Sequence, residues 1–200
     1  IINATTQGGG NIVKSGNGRL VFAGNSTYTG TTTIKGGTLS VSGNHTGAGV
    51  YSIGAANGDN GTLQVTGGSI SASALYVGRT GNATGSVLQT NGTITFTSGD
   101  SRIGGGDGSG DASAVGIYTI SGGTLAVTNN LQVGAYGTGI VNQSGGNITA
   151  GGWFAIGRYA GSNGTYNISG GSLNQTGGSN RLLIGELGSA TLNVSNTAAV

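Results

Sequence analysis

An internal repeat is the feature that most restricts what this chain can fold into. The pattern recurs as GTLQVTGGSI, GIYTISGGTL, GIVNQSGGNI and GTYNISGGSL, which begin at Gly61, Gly116, Gly139 and Gly164. Weaker copies begin at Gly10, Gly30, Gly85 and Ala190, so that the eight starts lie 20 to 31 residues apart. Such a period is typical of solenoids, in which stacked repeats cover each other's apolar sides.

Each repeat contains two segments that alternate between apolar and polar residues. The second and fourth residues after a start are usually apolar, as in Leu63 and Val65, and this period of two predicts a strand with one buried side. A Gly-Gly pair usually follows, where a sharp corner requires positive φ. A second strand then places apolar residues inward, for which Leu39 and Val41 are the example in the second coil.

A third short element closes the repeat. It reads YSIG, LYVG, SRIG, LQVG, FAIG and LLIG, and it ends at Gly54, Gly78, Gly104, Gly134, Gly157 and Gly185. Three strands and three corners per repeat predict an all-β, three-faced parallel β-helix of about eight coils. A β-sandwich also has short strands and frequent turns, but its strands do not repeat one motif in register. We therefore expect residues 1–200 to form a single β-solenoid segment of a longer array, with coil starts near 10, 30, 61, 85, 116, 139, 164 and 190.

The composition agrees with stacked strands and restricts the partners. Proline is absent, as expected where every interior strand donates ladder hydrogen bonds. Charged residues make up only 6% of the chain, and its seven basic residues are spread singly along the sequence. Nucleic-acid binding requires clustered cations, so we expect no nucleic-acid partner. No apolar run reaches the length of a membrane span, so we expect no membrane insertion of this segment.

One stretch resembles a known family. GRLVFAGNSTYTGTTTIKGGTLSV, from Gly18 to Val41, is similar to the autotransporter-associated β-strand repeat of bacterial passenger domains. The shared pattern consists of a Gly-x-Leu strand, an Asn-to-Gly turn around Tyr28, a Thr-x-Ile strand and Gly-Gly-Thr-Leu. The resemblance implies a right-handed β-helix, export to the cell surface or extracellular space, and an adhesive or structural role. The family's motif carries no catalytic residues, and none are transferred to this chain.

A carbohydrate-active β-helix enzyme is the main alternative, and it requires converging carboxylates. Asp59 and the pair Asp107 and Asp111 follow third strands two coils apart, about 10 Å by strand spacing. That distance suits an inverting carboxylate pair. However, all three lie in glycine-rich loops with nothing evident to fix their geometry. We therefore predict no enzyme activity and no catalytic residues, and we expect His45 in an exposed loop.

A calcium-stabilised glycan-binding module is the second alternative. Asp107, Ser109 and Asp111 occupy alternate positions, like the start of a calcium-binding loop. Ala112 and Tyr118 stand where such a loop requires Gly and Glu. These three residues are therefore the only candidate metal ligands, Ca²⁺ is the only candidate cofactor, and we otherwise expect none.

Polar columns are predicted on the outside of the rod. The fifth residue after each start is usually Ser or Thr, and these residues form a column of Ser15, Thr66, Thr90, Ser121, Ser144, Ser169 and Ser195. Lys35 is the exception at this position. Asn142, Asn167 and Asn193 form a second column, and stacked side chains of both kinds can bond along the rod. Phe154 is expected to point inward and Trp153 outward, where a lone aromatic offers little platform for a sugar.

These patterns favour a structural or adhesive segment of an exported bacterial protein. A passive stalk and a self-assembling extracellular fibre both fit the sequence. The expected partners are further copies of the chain through coil stacking, or glycans and cell surfaces.

Overall fold

A computed structural model describes residues 6–106, 108, 111–177 and 181–200. Within these ranges the chain forms twenty-two β-strands and no α-helix. The strands are short because each coil passes through three faces in turn, and all pairing between coils is parallel. The prediction of a three-faced β-solenoid is confirmed, while the right-handed winding stays a prediction.

Two of the three sheets have eight strands each among the described residues. Sheet A contains β2 (Arg19–Phe22), β4 (Gly36–Val41), β7 (Asn60–Val65), β10 (Thr84–Gln89), β13 (Val115–Ile120), β16 (Thr138–Gln143), β19 (Asn163–Ile168) and β22 (Ser189–Val194). Sheet C contains β1 (Ile12–Lys14), β3 (Thr32–Ile34), β6 (Tyr51–Ile53), β9 (Leu75–Val77), β12 (Ser101–Ile103), β15 (Leu131–Val133), β18 (Phe154–Ile156) and β21 (Leu182–Ile184).

The third sheet is shorter. Sheet B contains β5 (Asn44–Ala48), β8 (Ser69–Ala72), β11 (Thr93–Phe96), β14 (Thr124–Val127), β17 (Asn147–Ala150) and β20 (Ser172–Gln175). Single bridges continue it at both ends, from Ser26 to His45 and from Ser172 to Ala199. Seven complete turns thus lead from β1 to β21, and β22 belongs to an eighth.

The coils differ in length but keep one register. Successive strands of sheet C begin 19 to 30 residues apart, the shortest step running from Thr32 to Tyr51 and the longest from Ser101 to Leu131. Strand pairs nevertheless align residue for residue, as Leu63 with Val87 in sheet A. The register shifts within the pairing of β5 with β8, at a bulge between His45 and Ala48. Variable loops therefore absorb the differences in length without disturbing the ladders.

The phase of the first two repeats differs from the prediction. Gly10 and Gly30 are not equivalent to the later starts, because β1 pairs with β3 and β3 with β6 in sheet C, while β4 pairs with β7 in sheet A. Leu39 consequently lies in sheet A. The sequence pattern predicts it in the second strand of a repeat, which corresponds to sheet B. The physical reason is that a Gly-Gly pair serves two different corners. Gly36-Gly37 opens a strand of sheet A, whereas Gly67-Gly68 leads from sheet A to sheet B.

The corner between sheets C and A brings backbone against backbone. Gly78 directly follows β9 and has a φ of +61°, a conformation that favours glycine. A Cβ on Gly85 would lie 2.1 Å from the Ile53 carbonyl oxygen and 2.4 Å from the Gly78 nitrogen. Glycine at the start of the repeat is therefore required by this close approach.

One continuous apolar core fills the rod. Inward side chains of the three sheets stack in columns and are almost completely buried, among them Ile34, Leu39, Ile53, Leu63, Ile70, Leu75, Phe96 and Phe154. Burial of this kind supplies the main driving force for folding. The inward direction predicted for Phe154 is confirmed.

Two buried glutamines interrupt the apolar columns. Gln89 Nε2 donates to the carbonyl oxygens of Gly92 at 3.1 Å and Thr124 at 3.0 Å, and its Oε1 accepts from the Tyr118 hydroxyl at 2.6 Å. Gln143 repeats the arrangement further along the rod with Gly146, Ser172 and Tyr166. Each glutamine binds the A-to-B corner of its own coil and a strand of the next coil. Burial raises the pKa of both tyrosines, so their hydroxyls stay protonated and donate.

The interior of the first coils contains a buried histidine, and the prediction that His45 lies in an exposed loop is wrong. His45 belongs to β5, is fully buried, and stacks on Phe22 with ring centroids 5.2 Å apart. The Tyr28 ring meets it edge-on at 6.2 Å. Neither imidazole nitrogen has a hydrogen-bond partner among the described residues. Desolvation lowers the pKa of His45 to about 4, so the ring is neutral at pH 7.

Candidate ligand-binding surface

The acidic residues considered for catalysis or calcium binding stabilise loops. Asp111 is buried, and its carboxylate accepts from the N–H groups of Gly106 at 3.2 Å and Gly108 at 3.0 Å. Asp59 accepts from the N–H groups of Ala55 and Ala56 at 3.1 and 2.9 Å. Both carboxylates thus bind backbone amides of the loops that follow strands of sheet C.

The described residues form no metal site. Asp107 and Ser109 lie outside the described residues, so the proposed calcium loop is represented by Asp111 alone. Elsewhere along the described ranges, no three His, Cys, Asp or Glu side chains come together as metal ligands. The same ranges form no pocket, and none of their helices is long and apolar enough to cross a membrane.

In the later coils, charged residues lie on one side of the rod. From β7 onward, the strands of sheets A and B carry no charged residue. Every described charged residue after position 60 lies on sheet C or in a loop that begins or ends at one of its strands. The electrostatic potential of the later coils therefore arises mainly from the side of sheet C.

Four of the chain's five arginines gather on this side, together with four aromatic side chains. We call this set the arginine–aromatic strip, and it consists of Tyr76, Arg79, Arg102, Tyr136, Trp153, Arg158, Tyr159 and Arg181. The prediction that the cations are scattered singly is therefore wrong for these arginines. Residues far apart in the sequence become neighbours because the coils stack about 4.8 Å apart.

Guanidinium groups lie over aromatic rings along the whole strip. The Arg79 guanidinium carbon is 4.5 Å from the Tyr76 ring centroid, and that of Arg158 is 4.9 Å from the Tyr159 centroid. Trp153 has two such neighbours, Arg158 at 5.1 Å and Arg181 at 5.3 Å. Each contact is worth about 0.5–1 kcal/mol at an exposed site. The rings therefore fix the positions of the positive groups.

Two tyrosines join neighbouring coils at the centre of the strip. The rings of Tyr136 and Tyr159 are stacked, with centroids 4.2 Å apart and planes 6° from parallel. Burial, followed by the hydrogen bond with Tyr159, raises the pKa of Tyr136, which keeps its phenol neutral. Arg102 lies 5.9 Å from the Tyr136 centroid. Stacking thus links the arginine of one coil to the aromatic rings of later coils.

Acidic side chains balance part of this charge. Asp100 lies 3.8 Å from Arg102 and also accepts from Asn130 and Gln132, both at 2.9 Å. Glu186 lies 3.5 Å from the Nε of Arg158. Arg181 is exposed. The strip therefore combines paired arginines with a solvent-facing one.

The sequence does contain a signal for this strip, although the spacing of these residues along the chain does not reveal it. Arg79 and Arg158 each follow the glycine that closes a third strand, and Trp153 and Arg181 each precede such a strand. Matching positions of this kind become visible only when the coils are aligned on sheet C. Trp153 points away from the core as predicted, but three tyrosines accompany it.

The polar columns on the outside of sheet A are present, with one correction. Ser42, not Ser15 or Lys35, stands in the hydroxyl column, because Ser42 N donates to Phe22 O as Thr66 N does to Val41 O. The column after β4 thus contains only Ser and Thr. The asparagine column bonds along the rod, with Asn167 Nδ2 2.9 Å from Asn142 Oδ1 and Asn193 Nδ2 2.7 Å from Asn167 Oδ1.

Comparison with known proteins gives one family match. No curated protein and no solved structure matches the chain significantly. Residues 12–41 match the model of the passenger-associated-transport-repeat family. This range runs from the start of β1 to the end of β4 and includes the stretch whose pattern resembles that repeat. Residues 12–41 are thus similar to a passenger-associated transport repeat, and they form the first coils of a β-solenoid.

Proposed function

We propose that this chain is a structural and adhesive segment of a secreted or surface-exposed bacterial protein, in which the solenoid serves as a rod. The observation that carries this proposal is the match of residues 12–41 to a passenger-associated transport repeat, continued by later coils in the same parallel lattice. The parallel coils would form a rod with surfaces along its length.

A role without catalysis agrees with how the acidic residues are used. The carboxylates of Asp59 and Asp111 bind the amides of their own loops, which leaves them poorly placed to act as a converging acid–base pair. The strip instead consists of fixed, partly buried cations and aromatic rings, and it contains no pocket among the described residues. Such a surface suits binding more than turnover.

Surface labelling of the source bacterium tests the exported location. Antibodies raised against the purified segment should label intact cells as strongly as permeabilised ones. Labelling that appears only after permeabilisation would overturn the proposal.

A competition experiment tests the adhesive role. Excess soluble segment should compete with the cells for attachment to the surface that they colonise, while a solenoid of unrelated sequence should not.

Association through coil stacking is a further part of the proposal. Leu182, Ile184 and Val194 in the last coil are 39%, 50% and 53% exposed, although the equivalent residues of earlier coils are buried. A following coil, whether of the same protein or of a second copy, would cover these side chains. Sedimentation velocity should then show filaments that grow with concentration, and Ile184→Asp should suppress them. A monomer at every concentration would leave the stalk as the form of the rod.

A further inference from the structure

We propose that the arginine–aromatic strip binds a linear acidic polysaccharide laid along the rod axis. Carboxylates of the sugar units would contact the guanidinium groups, and sugar rings would contact the edges of the tyrosine and tryptophan rings. The inference rests on the proposed adhesive function and specifies the surface and the ligand class.

The shape of the strip suits an extended chain. It crosses the five coils from β9 to β21, which amounts to roughly 19 Å at a strand spacing of about 4.8 Å. Positive groups occur along this whole length, from Arg79 and Arg102 to Arg158 and Arg181. A linear polymer with repeated negative charges can meet several of them at once, and contacts made by one chain reinforce each other.

The guanidinium groups are held in place before any ligand arrives. Arg102 lies near both Tyr76 and Tyr136, and Arg158 lies over both Trp153 and Tyr159. Little side-chain entropy is then lost when a carboxylate binds. A guanidinium has five N–H donors and can accept a carboxylate in a bidentate manner. Among the described residues Glu186 is the one acidic partner of Arg158 and lies near its Nε, so this arginine keeps further donors for a ligand.

The other two faces do not offer comparable chemistry. Outward residues of sheets A and B between Asn60 and Gln175 are uncharged, and they are mostly hydroxyl, amide and aliphatic side chains. Such faces contribute no electrostatic attraction to an anionic polymer. An anionic ligand would therefore bind the strip rather than sheet A or sheet B.

A polysaccharide fits the strip better than a nucleic acid. Asp100 and Glu186 neutralise two of the arginines locally, so the strip lacks the unbalanced charge that phosphate backbones require. Single-stranded nucleic acids also need open aromatic faces on which bases stack. Here Tyr136 and Tyr159 cover each other, and Trp153 has two guanidiniums over its ring.

Trp153 is the only tryptophan of the chain and lies within the strip, so its fluorescence reports on this site alone. The folded segment should be titrated with polygalacturonate, with the neutral polymer dextran and with a single-stranded oligonucleotide, each at low and high salt. Polygalacturonate is expected to change the emission in a saturable manner that weakens as salt increases. Dextran and the oligonucleotide are expected to leave the emission unchanged at the same concentrations.

Matched variants locate the binding. Arg181→Gln should weaken polygalacturonate binding about fivefold, as expected for one exposed charge contact, and should leave the melting temperature unchanged. Arg19→Gln removes the same charge from another exposed arginine, at the edge of sheet A, and should leave the affinity unchanged. Because the Arg181 variant still contains Trp153, both proteins can be compared by fluorescence and by calorimetry.

Three outcomes would overturn the proposal: no saturable change with polygalacturonate, equal loss in the two variants, or tighter binding of the oligonucleotide. The adhesive function fails separately, since it depends on competition for cell attachment. Attachment that is blocked by the segment but insensitive to Arg181→Gln would refute the strip as the binding surface and keep the adhesive role.

Discussion

Buried polar side chains have different surroundings in the early and in the later coils. Around β2 and β5, His45 lies between aromatic rings with no hydrogen bond to either ring nitrogen. From β10 to β20, Gln89 and Gln143 satisfy both their amide hydrogens and their oxygens within the core. Both regions share the same three-sided frame. The comparison shows that the core of this solenoid can contain a polar side chain if that side chain is uncharged or if all its polar atoms are hydrogen-bonded.

Replacing a bonded glutamine and replacing the unbonded histidine should change the free energy of unfolding in opposite directions. A satisfied glutamine links two coils, so its removal leaves several buried groups without partners. An unsatisfied histidine contributes only its ring packing, and it adds a penalty when it becomes protonated. The later coils should therefore be sensitive to loss of the amide, and the early coils to acid.

The largest effect is expected from Gln143→Ala. It leaves the carbonyl groups of Gly146 and Ser172 and the hydroxyl of Tyr166 without their partner, and it opens a cavity. We expect the free energy of unfolding to fall by about 4 kcal/mol in urea denaturation followed by circular dichroism. Gln64→Ala on the outer side of sheet A is the control and should cost within about 0.5 kcal/mol. Similar losses in both variants would contradict a bonding role for Gln143.

Acidification should destabilise the early coils. The pKa of His45 is about 4 in the folded chain and about 6.5 when unfolded, so between these pH values only the unfolded state binds the proton. Stability should therefore decline as the pH drops below about 6.5, by on the order of 3 kcal/mol once pH 4 is passed. Denaturation measured from pH 7 to pH 4 tests this, with His45→Leu as the reference. Identical pH profiles in the two proteins would rule out His45 as the source.

At pH 7 the same variant should be more stable than the parent. His45 lies between the buried Ser26 and Ile70 in an inward column that is apolar from Ile70 onward, so a leucine fits the column. Removing two unsatisfied ring nitrogens should raise the free energy of unfolding by about 1–2 kcal/mol. Thermal denaturation of both proteins provides the measurement. A less stable variant would show that stacking on Phe22 outweighs the desolvation of the ring.

A smaller effect is expected from Tyr118→Phe. The change removes one hydroxyl and leaves Gln89 Oε1 without its donor, which should cost about 1 kcal/mol. Tyr76→Phe in the strip is the matched control, since its ring lies on the outside, and it should change stability by no more than a few tenths of a kcal/mol. Equal stability of Tyr118→Phe and the parent would mean that the glutamine oxygen finds another donor.

The repeat and its alternation were sufficient to predict the solenoid. Period-two burial in segments such as that around Leu63 fixes the inward side of each strand, and recurrence of the motif indicates stacking. The phase of the first coils could not be obtained in the same way. Glycine pairs relieve any sharp corner, so Gly36-Gly37 and Gly67-Gly68 look alike although they serve different corners.

His45 and the strip escaped prediction for related reasons. His45 lies at a bulge, where the alternation that marks a buried position is broken. The arginines of the strip are separated by loops of different lengths, so their columns align only after the strands have been placed. Contacts between side chains of neighbouring coils depend on register, and register is a property of the whole lattice rather than of any single segment.

The parallel ladders also determine how the rod answers to force. Their hydrogen bonds point along the axis, so tension applied to the two ends acts directly on the bonds between neighbouring coils. Because each coil contacts mainly its two neighbours, an end coil can peel away while the rest stays folded. Coils of 19 to 30 residues would then extend in steps of roughly 60 to 100 Å. A rod of this kind lengthens under load in small increments and keeps its remaining surface intact.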